Sequence, residues 1–170
     1  MKADTQKLVE KLIAANLFLA TAESCTGGGI AAEITSIAGS SKCFGYGIVS
    51  YSNKAKEQIL TVPASTLSRF GAVSEQTAAA MAQGLLSLSQ ADIAIAVTGI
   101  AGPEGGSEEK PVGLVYIALA AAETLWVRRH VFSGTRADVR RQTVDEALAL
   151  VMEYVDKNEI SEKKGDSNAK

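Results

Sequence analysis

The sequence predicts a three-layer α/β/α domain around a five-stranded mixed sheet whose fourth strand runs antiparallel to its neighbours. Three observations carry this. Short apolar runs alternate with segments of helical period along most of the chain, which is the pattern of parallel strands joined by helical crossovers. Near the end, two strand-like runs follow one another with only two residues between them, the spacing of a hairpin. Aromatic residues are few, 5%, while Ala, Val, Ile and Leu are plentiful, which suits helices layered closely on a sheet. A length of 170 residues sets the expectation of one domain with a substantial core.

Leu8, Val9, Leu12, Ile13 and Leu17 recur at helical spacing behind Asp4 or Thr5 as cap. Leu17–Ala22 reads as a buried strand that ends at Glu23-Ser24-Cys25-Thr26-Gly27-Gly28-Gly29. Ile30, Ala31, Ile34 and Ile37 mark a second helix, stopping near Gly39. A second strand, Gly47–Tyr51, leads through Ser52-Asn53 into a short helix reaching Leu60. Pro63 opens another toward Phe70, closed by Gly71, and Ser74 starts a long Ala-rich helix to about Gln90. Asp92–Thr98 is apolar almost throughout and therefore a central strand. A glycine-rich loop, Gly99–Pro111, precedes the hairpin strands Val112–Ala121 and Thr124–Phe132. Ser133-Gly134-Thr135 caps a last helix, Arg136 to about Lys157. The polar residues beyond it, 158–170, lack periodicity and read as a disordered tail; residues 1–157 form the single domain.

Bulk properties exclude several classes. A net charge of −2, with no basic residues interleaved with aromatics, argues against a nucleic-acid partner or an anionic membrane. No run reaches the ~18 apolar residues of a membrane span, and the N-terminal residues lack signal-peptide form, so the expected location is the cytoplasm. There the thiols of Cys25 and Cys43 stay reduced. One histidine and two separated cysteines make a transition-metal site an unexpected feature, and no cofactor is expected. The apolar terminal hairpin leaves an edge strand for a second copy to cover, which makes a homo-oligomer a candidate assembly.

In open α/β sheets, ligands bind outside the carboxyl ends of the parallel strands. Three loops there carry reactive residue types. Ser24 stands at a strand-to-helix turn before Thr26, Gly27 and Gly28, where N–H groups and the helix dipole suit an oxyanion or a phosphate; a plain helix cap uses the same residues. Cys25 is a rival nucleophile. The sole histidine, His130, falls in the last strand, so a Ser-His-Asp triad is not expected. Lysine is the alternative base, and Lys56 lies five residues after Tyr51, in the first turns of the next helix, able to reach Ser24. Making a lysine neutral near pH 7 takes ~4 kcal/mol from burial or neighbouring charge; otherwise it is a solvated helix lysine. Tyr51 could relay a proton or hydrogen-bond the amine. Thr98, Gly99, Ala101 and Gly102 open the third loop, whose glycines free N–H groups for phosphate or ribose, although no Walker or GxGxxG pattern is present. Arg136 and Arg140 share one helix face, fit for a phosphate or for solvent.

Taken in order, Thr21-Ala22-Glu23-Ser24-Cys25-Thr26-Gly27-Gly28, Ile37-Ala38-Gly39-Ser40-Ser41, Tyr51-Ser52-Asn53-Lys54-Ala55-Lys56, Gly71-Ala72-Val73-Ser74, Gly99-Ile100-Ala101-Gly102-Pro103, Glu109-Lys110-Pro111-Val112-Gly113 and Phe132-Ser133-Gly134-Thr135-Arg136 with Arg140 closely resemble the CinA C-terminal domain family, across roughly residues 5–155. The resemblance implies an anticodon-binding-domain-like fold and a stand-alone nicotinamide-nucleotide amidase. Such an enzyme converts nicotinamide mononucleotide and water to nicotinate mononucleotide and ammonia in pyridine nucleotide salvage. It further implies Ser24 as nucleophile, Lys56 as base, Tyr51 as supporting hydroxyl and no metal. Substrate contacts would fall to Thr26, Gly27, Gly28, Thr98, Gly99, Ala101, Gly102, Arg136 and Arg140. Where the family often has aspartate, this sequence has Thr135. Longer relatives carry an extra molybdopterin-binding-like domain, whose activity is not carried over. The alternatives are a non-catalytic nucleotide-sensing or competence-related module, and hydrolysis of a different amide or ester.

Overall fold

The computed structural model describes residues 4–167, with side chains through residue 158. Its elements are α1 (Thr5–Ala14), β1 (Leu19–Glu23), α2 (Gly29–Thr35), β2 (Phe44–Val49), α3 (Asn53–Leu60), α4 (Ala64–Phe70), α5 (Glu75–Ser89), β3 (Ile93–Gly99), β4 (Leu114–Ala121), β5 (Thr124–Val131) and α6 (Arg136–Ser167), with a single 3₁₀ turn at Ser40–Lys42. The sheet order is β2-β1-β3-β4-β5. β1 pairs in parallel with both β2 and β3, and β4 is antiparallel to β3 and β5. The five-stranded mixed α/β/α architecture read from the sequence is therefore the one observed.

Local chemistry sets most boundaries. Asp4 caps α1 by accepting the Lys7 N–H at 3.1 Å, Ser52 caps α3 through the Ala55 N–H, and Ser74 caps α5 through the Thr77 N–H, each satisfying a donor the helix leaves open. Several boundaries differ from the sequence reading, β1 starting at Leu19 rather than Leu17 and β4 at Leu114 rather than Val112. β2 runs over Phe44–Val49 rather than Gly47–Tyr51, because pairing with β1 overrides the poor strand propensity of Gly45. α6 runs on to Ser167, through most of the stretch read as a tail; Lys157 bonds Glu153 one turn back, and the following Glu and Lys residues favour helix. Residues 168–170 of that stretch lie outside the described residues.

The strands alternate by side-chain size as well as by face. Leu19, Ile93, Ile95, Val97, Ile117 and Leu119 face a core shared with α1, α2 and α6. The intervening Ala20, Ala22, Ala94, Ala96, Ala118 and Ala120 face Leu60, Leu67, Met81 and Leu85 of α3, α4 and α5. Period-two alternation sends successive residues to opposite faces, so one face is thick with branched side chains and the other is an alanine floor. That floor lets α5 lie close to the sheet, and α5 answers with Ala78 and Ala82, both fully buried. Among the described residues no helix is long and apolar enough to cross a membrane.

Candidate active site

The carboxyl ends of β1, β2 and β3 lie side by side and continue a little past the strands. The Ser24 N–H still donates to the Val97 carbonyl of β3 at 3.1 Å, and the Ser50 N–H to the Glu23 carbonyl at 2.9 Å. The sheet itself thus delivers Ser24 and Ser50 to one rim. There the chain turns into α2 through Gly27 and Gly28, both at positive φ, a region L side chains seldom occupy.

The turn is held by Glu23, a residue the sequence reading passed over. Its carboxylate is 1% exposed and accepts four hydrogen bonds, from Thr26 Oγ1 (2.6 Å) and from the N–H groups of Gly28 (3.0 Å), Ile30 (3.0 Å) and Ala31 (2.8 Å). A carboxylate at a helix N-terminus satisfies open donors and opposes the positive end of the dipole. Arg140 adds a bond from its guanidinium to the Thr26 carbonyl at 2.6 Å. The only signal available beforehand was an acidic residue at the strand end, directly before a glycine-rich helix start.

Lys56, on the first turn of α3, crosses the rim to this turn. Its Nζ lies 3.0 Å from Ser24 Oγ, 2.7 Å from the Ser50 carbonyl and 3.3 Å from the Tyr51 carbonyl, and the residue is 1% exposed. Burial pulls the amine down from its ordinary 10.5 to about 8, with the neighbouring Cys25 pulling weakly the other way. The three neighbours match the proton inventory of a lysine base. Two carbonyls can only accept, so a neutral amine spends both N–H groups on them and points its lone pair at the serine hydroxyl; the ammonium form donates to all three. Cys25 sits next door at 5% exposure, and burial pushes its thiol up to about 11. It is a thiol at neutral pH, and Ser24 is the better-placed nucleophile.

Ser24 and Lys56 lie at the foot of a cavity of about 280 Å³. Of the residues singled out from sequence, Tyr51, Thr98, Gly99, Ala101, Gly102 and Arg136 also line it. Thr98 is buried with its hydroxyl on the Ala72 carbonyl at 2.7 Å. Arg136 spans the mouth, bonding the Gly102 carbonyl (2.9 Å) and the Tyr51 hydroxyl (3.1 Å), with the rest of its five donors left for a ligand. The phenol of Tyr51 is therefore on Arg136; only its carbonyl meets Lys56.

Thr26, Gly27, Gly28 and Arg140 stand apart from the cavity wall. Gly28 donates to Glu23 and Gly27 to the Ser24 carbonyl, so these amides are spent on the turn and act on Ser24 by fixing its place. Cys25 and four residues the sequence reading did not single out as substrate contacts, Ala72, Val73, Ile100 and Glu104, complete the wall with Gly105. His130 is on β5 at the far edge of the sheet, stacked on Phe132 at 5.0 Å.

Comparison with known proteins shows the family. The family described as the CinA C-terminal domain matches residues 2–155. The chain belongs to that family. Within it, a competence-damage inducible protein of Thermoanaerobacter pseudethanolicus is 49% identical over 153 residues, 89% of this chain and 37% of the relative. A CinA-like protein of Endomicrobium trichonymphae is 54% identical over 130 residues, 76% of this chain and 30% of the relative. The chain thus spans about a third of the length of these curated relatives. Solved CinA-superfamily structures match along nearly their whole length. One from Klebsiella pneumoniae superposes with a TM-score of 0.87 at 39% identity, covering 90% of this chain and 96% of that one. One from Agrobacterium tumefaciens, a competence/damage inducible protein, gives 0.83 at 46%, covering 88% and 94%.

Proposed function

We propose that this chain is a serine–lysine amidohydrolase that converts nicotinamide mononucleotide and water to nicotinate mononucleotide and ammonia. The observation that carries the reading is the buried 3.0 Å contact between Lys56 Nζ and Ser24 Oγ at the foot of a cavity with an arginine at its mouth. The resemblance to nicotinamide-nucleotide amidases of the CinA C-terminal domain family supplies the substrate.

In the reaction, neutral Lys56 accepts the Ser24 proton as Oγ attacks the carboxamide carbon. The N–H groups of Ala101 and Gly102 belong to residues that line the cavity together with Ser24. They are the candidates for stabilising the oxyanion. Collapse of the tetrahedral intermediate breaks the C–N bond, and Lys56 returns its proton to the departing nitrogen, releasing ammonia. Water then attacks the nicotinoyl ester, gives a proton to Lys56 and frees Ser24 Oγ, which takes that proton back. Arg136 binds the phosphate at the mouth, and Thr98 holds the wall against which the nucleotide rests.

The test is ammonia release from nicotinamide mononucleotide after dialysis of the protein against a chelator, beside a Ser24→Ala control. Release by the parent protein and none by the folded variant supports serine chemistry without a metal. A folded parent that binds the nucleotide and releases nothing assigns the fold to nucleotide sensing instead.

A further inference from the structure

Two of the sequence segments quoted above, Gly71-Ala72-Val73-Ser74 and Glu109-Lys110-Pro111-Val112-Gly113, have no part in the chemistry just described. The structure brings them together. Lys110 Nζ donates to the Phe70 carbonyl at 2.7 Å, a bond between residues 40 apart in sequence. Phe70 ends α4, and its carbonyl is one of those a helix leaves without an internal partner. Gly71 closes the helix at φ 78°, and a Cβ there would stand 3.2 Å from Lys110 Nζ. Glycine therefore serves both the turn and the approach of the amine.

We infer that Lys110 is a positioning residue for the amidase site: it clasps the tip of the 100–113 loop to the end of α4 and so fixes two opposed walls of the substrate cavity. This rests on the amidase reading for its substrate, and on the geometry alone for the clasp.

The loop is long and has no secondary structure of its own, so its shape depends on specific ties. Its root is closed by Ile100 N–H to the Leu114 carbonyl and Gly113 N–H to the Ile100 carbonyl, both at 2.8 Å. Arg136 holds Gly102, and Val112 packs against the backbone of Gly102 and Gly106. The tip folds on itself, with the Ser107 N–H on the Lys110 carbonyl at 2.8 Å and the Lys110 N–H on Ser107 Oγ at 3.0 Å. Lys110 Nζ is the one side-chain bond that joins this tip to α4 among the described residues. On the loop side of the clasp, Ile100, Ala101, Gly102, Glu104 and Gly105 line the cavity; on the α4 side, Ala72 and Val73 do. The second tie on that side, Thr98 Oγ1 to the Ala72 carbonyl, keeps the wall anchored to β3. Among the described residues Ser24, Lys56 and Glu23 share no hydrogen bond with the clasp, and the root of the loop at Ile100 and Gly102 keeps its own ties to Leu114 and Arg136, so breaking the clasp changes how the cavity closes on substrate and leaves the reacting groups as they are.

The experiment compares Lys110→Met, which keeps the aliphatic stem and loses the donor, with Lys110→Arg, which keeps a donor. Lys110→Met should raise KM for nicotinamide mononucleotide about tenfold with kcat within about twofold and the pH midpoint of kcat/KM unmoved. Lys110→Arg should recover part of the loss. In parallel, amide hydrogen exchange should quicken in 100–113 and 71–73 of Lys110→Met and stay unchanged in β1, β3 and α5. An unchanged KM with unchanged exchange overturns the clasp, as does a loss confined to kcat. If the parent protein releases no ammonia, the amidase reading fails on its own, and the exchange pattern still decides whether Lys110 closes the loop.

Discussion

Lys56 concentrates the electrostatics of the site in one side chain. With its amine at about 8, roughly a tenth of the protein carries the neutral base at pH 7 and half at pH 8. The proposed chemistry therefore gives a kcat/KM that climbs about fivefold over that interval and levels off above it. A profile rising through pH 6.5 and flat beyond would point to a histidine instead. The same group makes stability depend on pH. Its folded value lies below its unfolded 10.5, so between pH 8 and 10.5 the unfolded chain binds the extra proton and stability rises with pH. Cys25 works against this from pH 9 to 11, because its folded value, about 11, is raised above its ordinary 9.0. Cys43, likewise raised by burial, opposes it in the same range, so the lysine is read as a difference: from pH 8 to 9 the parent should gain about 1 kcal/mol more than Lys56→Met in urea unfolding. Ser24, Lys56 and Arg136 were legible in the sequence because reactive residues sat in loops that the fold class brings to one rim. The role of Glu23 was not, since nothing in the local pattern shows where a carboxylate at a strand end will turn.

At the scale of elements, the Ser24 turn and the start of α2 are one structure organised by Glu23. Glu23→Gln keeps size and shape and turns one acceptor oxygen into a donor, which faces N–H groups already in place. That mismatch should cost about 2–3 kcal/mol, read as a fall in the urea midpoint at unchanged m, and kcat should fall with it as Oγ loses its fixed position. Gln behaving like the parent in both readouts would mean that α2 orders the turn without help. The elements themselves were largely readable: helix caps at Asp4, Ser52 and Ser74 and the two-residue hairpin stand where local chemistry puts them. The start of β2 is not legible because Gly45 speaks against a strand, and pairing with β1 accounts for its observed start at Phe44. The division of labour among Thr26, Gly27 and Gly28 was likewise hidden, since a glycine-rich turn looks the same whether its amides serve a ligand or a buried carboxylate.

Across the whole molecule, the alanine floor and the close approach of α5 set the tolerance to substitution. Gly84 lies mid-helix in α5, where propensity alone predicts that alanine would stabilise by about 1 kcal/mol. The structure reverses that sign: a Cβ at Gly84 would overlap the Leu60 carbonyl of α3. Gly84→Ala should destabilise by about 2 kcal/mol or more in thermal or chemical unfolding. It should also lower activity, because α3 carries Lys56 one turn before Leu60. A stabilised Gly84→Ala protein would show that α3 can slide without loss. Fold class and layer order followed from periodicity, whereas this contact depends on two helices remote in sequence and had no local signature.

Ser24 and Lys56 hang from neighbouring strands of the parallel half of the sheet, and their separation is ruled by strand spacing and register. The 100–113 loop hangs from the antiparallel half, between β3 and β4, and among the described residues it shares no hydrogen bond with the side chains of Ser24 and Lys56. Evolution and protein engineering therefore meet a chassis whose reactive pair and whose loop are carried by different connections, joined at the rim where Arg136 holds Gly102 and Tyr51. Under the proposed chemistry, segments of different length can be exchanged beyond Gly102 to change which amide is accepted, while the reactive pair and the Ala101 and Gly102 amides are inherited intact.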